Sequence, residues 1–388
     1  MHNSKSSTPR RVVLLGATGS IGRQACDVIA RYPERFRLVG AVAGSDGRAL
    51  GEVAARFEVE RVALTQPNAG GYIPEGCMVG VDAACEIAAM ESDVVCVAIT
   101  GAAALRPTLA AVDAGSLVAT ATKEVLVMAG ELVRARAAAT GARVIPIDSE
   151  HSALWQCLRG EDPGTVEQLV LTASGGPFLN RPIETFASIT PDEALAHPTW
   201  RMGPKVTLDS ATMMNKGLEI IEAHFLFDID YALIQVAVHP KSLVHSYVAF
   251  CDGAIVAQLG VPDMRVPIAL ALADGERLPG VGPPLELRDG PGLEFFTVDG
   301  RRFPAVAVAR AAGEAGGVRP AVLNAANEVA VAAFLGGACR FDEIIPAVAD
   351  AVETAPSIGA ATLDDVVGAD EFARGHVRHL LSVGVPAA

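Results

Sequence analysis

The stretch Arg11-Val-Val-Leu-Leu15-Gly16-Ala-Thr-Gly19-Ser-Ile-Gly22 decides the fold. An uninterrupted apolar run ending at Leu15 reads as a strand buried on both faces, the mark of a parallel sheet. Glycines at 16, 19 and 22 then allow a tight turn and close backbone approach, and a helix is expected from Ser20 to Arg31. A helix start offers free N–H groups and the positive end of its dipole, which suit a pyrophosphate. The spacing GxxGxxG is a variant of the dinucleotide fingerprint, and alone it also fits a plain strand-to-helix turn. Its place at the head of a βαβ series favours nucleotide binding.

That series continues outward. Strands are expected at Arg37–Ala43, Asp93–Ala98, Ser116–Ala119 and Arg143–Ile147, with Ala-rich helical stretches between them, including Ala49–Phe57. Alternation of this kind means a parallel sheet covered by helices. The fold class is therefore α/β: a Rossmann-like parallel-sheet domain over 1–148, then an α+β catalytic domain over 149–273. Sheet-like runs at Gln168–Thr172, Gln235–His239 and Ile255–Leu259 mark the second. A Pro/Gly-rich stretch in 274–301 reads as a linker, and 302–388 as a helical domain.

Composition narrows the function. The chain has 388 residues, with 31 Lys+Arg against 45 Asp+Glu, a net charge of −14. That balance disfavours partners built of phosphate, so neither nucleic acid nor an anionic membrane is expected. No run free of charged residues exceeds 13 residues, short of the ~20 a spanning helix needs. Seven cysteines without a CxxC pair suggest neither a disulfide framework nor a zinc site, and the reading is a cytoplasmic protein.

At the end of the second strand the chain runs Gly44-Ser45-Asp46-Gly47-Arg48. Gly44, Ser45 and Arg48 suit a 2′-phosphate and favour NADPH; Asp46 cuts the other way. Asp148-Ser149-Glu150 closes the last strand of the first domain, where open α/β sheets bind ligands. If the segment stays extended, Asp148 and Glu150 share a side and invite a hard divalent cation. The competing reading is a capped helix start. Asp209-Ser-Ala-Thr-Met-Met-Asn-Lys-Gly-Leu-Glu219 and onward to Glu222 reads as one capped amphipathic helix. Asn215, Lys216 and Glu219 share a face of it, which suits a phosphorylated, metal-chelating substrate. Ser174-Gly-Gly-Pro177 can present backbone N–H groups and a hydroxyl to an anion. The loop 197–204 carries Trp200 and is a candidate lid. His239 and His245 read as core or turn residues, while His151 and His224 show no metal-ligand spacing.

Taken together, GATGSIG at 16–22, TKE at 122–124, IDSEH at 147–151, SGGPF at 174–178, HPTWRMG at 197–203 and DSATMMNKGLE at 209–219 are ordered motifs. With HPKSLVHS at 239–246, PDMR at 262–265 and NAANEVAVAAFL at 324–335, they resemble the 1-deoxy-D-xylulose-5-phosphate reductoisomerase family over nearly the whole chain. The resemblance implies rearrangement of 1-deoxy-D-xylulose 5-phosphate, then reduction by NADPH to 2-C-methyl-D-erythritol 4-phosphate, a non-mevalonate isoprenoid precursor. It implies a divalent cation on Asp148, Glu150 and Glu219, with Mg²⁺ or Mn²⁺ expected and Co²⁺ a further candidate. Ser174, Ser210, Asn215 and Lys216 would grip the phosphate; Lys123, Ser149 and His197 would contact the substrate. Thr18, Gly19, Ser20, Ile21, Gly44, Ser45, Asp46, Thr122, Glu124 and Gly203 would line the NADPH site, and Trp200 and Met202 would close over the substrate. Lys123, Asp148, Glu150, His197 and Glu219 are the candidate catalytic groups. Asp46 and Thr122 stand where the family usually carries Asn, and Pro204 where it commonly carries a basic residue. A homodimer is the family expectation.

Two other classes remain open from the residues alone. A plain NAD(P)-dependent dehydrogenase would need no metal triad, and a nucleotide-sensing regulator would have no reason for the phosphate-binding set.

Overall fold

Strand β1 (Arg10–Leu15) is the first laid down and ends with Val12–Leu15 fully buried. It is followed by β2 (Phe36–Ala43), β3 (Arg61–Leu64), β4 (Met78–Val79), β5 (Val94–Val97), β6 (Leu117–Thr120) and β7 (Arg143–Pro146). They form one parallel sheet in the order β4-β3-β2-β1-β5-β6-β7. The chain thus builds outward from β1 on one side, returns, and builds outward from β5 on the other. Ligands of such sheets sit beyond the carboxyl ends of the strands where the order reverses, here β1 and β5. The short strands β3 and β4 escape a reading by hydrophobic pattern because four and two residues carry too little of it.

The computed structural model describes residues 8–197, 202–288 and 292–382. The chain divides into two units. The first comprises Met1–Val125, Val133–Ser152 and Asp263–Pro283 and holds the parallel sheet. Asp263–Pro283 belongs here although the sequence reading divides it between the catalytic domain, ending at 273, and the linker that begins at 274. The reason is packing. The apolar helix Arg265–Leu272 lies against Ser20–Arg31 and buries Pro267–Leu272. Tyr32 Oη donates to Pro279 O at 2.7 Å, Arg31 Nη1 to Val281 O at 3.1 Å, and Arg35 pairs with Glu276.

The second unit comprises Leu126–Leu132, Ala153–Pro262 and Pro284–Ala388. Its sheet is mixed, with strands β8 (Val166–Ala173), β9 (Ile234–Val238), β10 (Val244–Phe250), β11 (Ile255–Leu259) and β12 (Phe296–Thr297) in the order β11-β10-β8-β9-β12. Only β8 and β9 run parallel. The helical region contains Ala305–Ala315, Arg319–Leu335, Ile344–Glu353 and Leu363–Leu380. Arg319–Leu335 packs against the last two, and its small residues let the backbones approach.

The segment 209–222 is not one helix. Helices Pro204–Thr212 and Met214–Phe227 meet at Met213, whose φ of 63° lies in the left-handed region. Asp209 therefore sits inside the first helix rather than capping it. Thr212 Oγ1 accepts from Met214 N at 3.3 Å and does the local work of a cap. A methionine in this conformation costs about 1 kcal/mol, offset by burying its side chain with Ala173 and Phe303.

Candidate active site

In the first unit, four groups of expected site residues stand at the carboxyl ends of parallel strands. Thr18, Gly19, Ser20 and Ile21 follow β1. Gly16 has φ +94°, and a Cβ there would lie 2.4 Å from Ala98 O, just beyond β5. A Cβ on Gly22 would lie 2.1 Å from Gly16 O. Only glycine permits this coil of backbone against the switch point. Gly19 caps the helix without a side-chain bond, so the first N–H groups have no side-chain partner from that residue.

Gly44, Ser45 and Asp46 follow β2 and are exposed. Asp46 is the N-cap of helix Gly47–Phe57, and its Oδ1 accepts from Ala49 N at 3.0 Å. Its carboxylate is thereby engaged with the helix start, which tempers the conflict with a 2′-phosphate. Arg48 is exposed on the first turn of the same helix.

Thr122, Lys123 and Glu124 follow β6 and are buried. Thr122 Oγ1 donates to Ile99 O at 2.5 Å, linking the ends of β5 and β6. Lys123 Nζ lies 2.7 Å from Asp148 Oδ2.

Asp148, Ser149 and Glu150 follow β7, but not in extended form. Helix Ser149–Cys157 begins at once, and Asp148 Oδ1 accepts from Glu150 N at 3.1 Å. The capped helix start and the carboxylate pair are thus one arrangement: the turn, not strand alternation, sets where Glu150 lies. Ser149 Oγ donates to Glu150 Oε2. His151, which sequence spacing passed over, is fully buried with Nδ1 3.1 Å from Asp148 Oδ1. Its signal was the i+3 position after an aspartate that opens a helix.

In the second unit, Ser174 follows β8. Its Oγ lies 3.2 Å from His197 Nε2 and accepts from Gly176 N at 3.2 Å. Burial pushes the His197 pKa below its ordinary value of 6.5, which favours the neutral ring. Gly176 has φ +66°, and a Cβ there would lie 2.6 Å from Ser210 O. That close approach brings the Ser174 loop onto Ser210.

Gly203 caps helix Pro204–Thr212, and Met202, half-buried, precedes it. On helix Met214–Phe227, Glu219 is fully buried and is met by Asn215 Nδ2 and Lys216 Nζ. Asn215, Lys216 and Glu219 thus share one helix face as their spacing requires. Of the expected lid, 198–201 lie outside the described residues, and Trp200 with them. Asp209 and Asn327, quoted only inside longer motifs above, are buried and bonded to each other at 2.8 Å.

A parallel sheet with a glycine coil at its switch point and phosphate-type donors beside a buried carboxylate define a class: a dinucleotide-dependent oxidoreductase. The chain matches the family model described as 1-deoxy-D-xylulose 5-phosphate reductoisomerase over residues 12–130. It matches two models for the C-terminal domain of that enzyme over 144–227 and 259–376. It is 49% identical to the 1-deoxy-D-xylulose 5-phosphate reductoisomerase of Thermomicrobium roseum over 95% of this chain and 97% of that one. The Gloeobacter violaceus enzyme is 48% identical over 96% and 97%. Among solved structures, a reductoisomerase from Zymomonas mobilis in complex with NADPH superposes with a TM-score of 0.89 at 39% identity, covering 96% of this chain and 99% of that one. One in complex with NADPH, fosmidomycin and magnesium gives 0.90 at 37% identity, covering 96% and 98%. The chain belongs to the 1-deoxy-D-xylulose 5-phosphate reductoisomerase family.

Proposed function

We propose that this protein converts 1-deoxy-D-xylulose 5-phosphate to 2-C-methyl-D-erythritol 4-phosphate with NADPH and a divalent cation. The observation that carries the reading is end-to-end similarity at 48–49% identity to reductoisomerases. The balance is one phosphosugar, one NADPH and one proton giving the reduced, branched phosphopolyol and NADP⁺. Bound to the protein, NADPH supplies the hydride and the cation, as a Lewis acid, stabilises negative charge on the substrate oxygens.

The residues present fit both groups. Asp148, Glu150 and Glu219 offer only oxygen donors, which suits magnesium or manganese. Glu219 is fully buried and already hydrogen-bonded by Asn215, a setting in which a carboxylate stays in one place. The glycine coil with Thr18, Gly19, Ser20 and Ile21 takes the pyrophosphate, and Gly44, Ser45 and Asp46 take the ribose end. Thr122, Glu124 and Gly203 complete the nucleotide site. Ser174, Ser210, Asn215 and Lys216 bind the substrate phosphate. Lys123, Ser149 and neutral His197 contact the carbon skeleton, and Trp200 and Met202 close over it.

In domain terms, 1–148 carries the nucleotide and lends Asp148 to the cation, and 149–273 carries the substrate with the lid over 197–204, except that Asp263–Pro283 packs with the first unit and so shortens both this domain and the linker expected over 274–301; 302–388 is helical support. Among the described residues no helix is long and apolar enough to cross a membrane. The enzyme works in the cytoplasm as a homodimer. The test is loss of reduced-nicotinamide absorbance on adding the phosphosugar, with and without EDTA. Turnover that persists without metal, or that needs no phosphate on the substrate, would overturn the reading.

A further inference from the structure

The helix Pro204–Thr212 carries a carboxylate that the reaction does not use. Asp209 is 1% exposed. Its Oδ2 lies 2.6 Å from Lys205 Nζ on the same helix, and its Oδ1 accepts from Asn327 Nδ2 at 2.8 Å. Asn327 comes from 118 residues further along, on helix Arg319–Leu335, and is fully buried. An asparagine in the interior of an alanine-rich helix lowers helix propensity by roughly 0.7 kcal/mol. It also places an amide where no water reaches, with Oδ1 lacking a hydrogen-bond partner among the described residues, so the bond from Nδ2 to Asp209 is the one that offsets the cost of burial. The residue is therefore there for its bond to Asp209.

What that bond controls follows from the next residue. Ser210 adjoins Asp209 and is turned about 100° from it on a helix. The helix is only nine residues long and ends at the left-handed Met213, and its apolar packing rests on Leu208 and Ala211, so a directional bond to a neighbouring helix adds to what fixes its rotation. The Lys205 contact is internal to the helix and cannot fix that rotation. Asn327 can, because it belongs to a different helix. The Ser210 carbonyl also lies against Gly176, where an added Cβ would come within 2.6 Å of it.

We propose that Asn327 is a positioning residue for phosphate binding: through Asp209 it sets the rotation of helix Pro204–Thr212 and so the aim of the Ser210 hydroxyl. The inference rests on Ser210 being a phosphate donor, and the test separates the two. Steady-state kinetics are measured for the wild type and for Asn327→Ala, Asn327→Ser and Ser210→Ala. A further double variant, Asp209→Asn with Asn327→Asp, restores the bond with donor and acceptor exchanged. The KM for the phosphosugar should rise about tenfold in Asn327→Ala and Asn327→Ser, with kcat and the KM for NADPH within about twofold, because ground-state phosphate binding is what is lost. The exchanged pair loses the Lys205 ion pair but keeps the bond between the two helices, so it should recover part of that rise even where Asn327→Ala folds poorly. A merely structural asparagine would lower thermal stability and the yield of active sites but leave KM unchanged. Unchanged KM in the asparagine variants and the exchanged pair, alongside a raised KM in Ser210→Ala, overturns the inference. Unchanged KM in Ser210→Ala itself overturns the phosphate reading and the inference with it.

Discussion

Lys123 Nζ sits 2.7 Å from Asp148 Oδ2, with 9% and 13% of the two side chains exposed. The ammonium thus balances a carboxylate that also serves as a helix cap and as the partner of His151. Asp148→Asn keeps the acceptor but removes the negative charge facing the buried ammonium, which should cost about 3 kcal/mol of stability. Adding Lys123→Met to that variant removes both charges and should return most of the loss. Urea unfolding in EDTA of the two single variants and the double one measures the coupling. A loss below about 0.5 kcal/mol for Asp148→Asn would mean the pair behaves like an exposed one.

His197 gives stability a pH dependence of known sign. Burial holds its folded pKa below the ordinary 6.5. An unfolded chain takes the proton near that ordinary value, whereas the folded chain resists it to lower pH. In that window the unfolded state binds more protons, so stability rises with pH. The stabilising contribution is complete above about pH 7.5 and falls away as pH drops through about 6.5 toward the folded pKa. His197→Gln has no such group. Denaturant midpoints taken across this range should show the wild type losing ground to His197→Gln on acidification. Parallel curves would place the ring in water.

Asp46 is exposed at the end of β2 and caps the next helix through Ala49 N. Asn caps as well as Asp, so Asp46→Asn should leave the melting temperature nearly unchanged. It removes a negative charge from the region proposed for the 2′-phosphate. At surface dielectric this is worth roughly 0.5–1 kcal/mol, a two- to fivefold lower KM for NADPH. NADH, which lacks that phosphate, should respond little, and the gain should shrink in about 0.5 M salt. An equal change for both nucleotides would remove Asp46 from the 2′ end of the cofactor.

The parallel sheet was legible because fully buried strands leave unbroken apolar runs, as at Val12–Leu15 and Val94–Val97. Helix Ser20–Arg31 was legible at both ends, since the glycine loop opens it. Local signals failed where tertiary contacts decide. Nothing in 209–222 announces a break at Met213, because a non-glycine left-handed residue is held by burial rather than by propensity. Nothing in Asp263–Pro283 announces its attachment to the first unit, which depends on Arg31, Tyr32 and Arg35 some 250 residues earlier. The candidate site residues came from motifs; the pairing of Asp209 with Asn327 did not, because a buried bond spanning 118 residues leaves no trace in either neighbourhood.

Glu219 is the most constrained of the candidate ligands: fully buried, with Asn215 on one oxygen and Lys216 on the other. Two groups on the same helix face, four and three residues earlier, meet the carboxylate and restrict where it can lie. Glu219→Gln conserves size and keeps an oxygen for one neighbour but removes the anion. The protein should still fold, with a lowered melting temperature because Lys216 loses its counter-charge in the interior. Activity should fall by at least about 10²-fold, since the Lewis acid loses an anionic ligand that contributes several kcal/mol to charge stabilisation. Manganese titration of the variant should show weakened binding in the same preparation whose circular dichroism is native. The two readouts separate the roles: a melting shift with intact metal affinity and turnover would make Glu219 a structural partner of Lys216, whereas lost metal affinity in a folded protein makes it a ligand. A tenfold increase in magnesium should recover only a fraction of the activity, because concentration restores occupancy and not the geometry a carboxylate imposes.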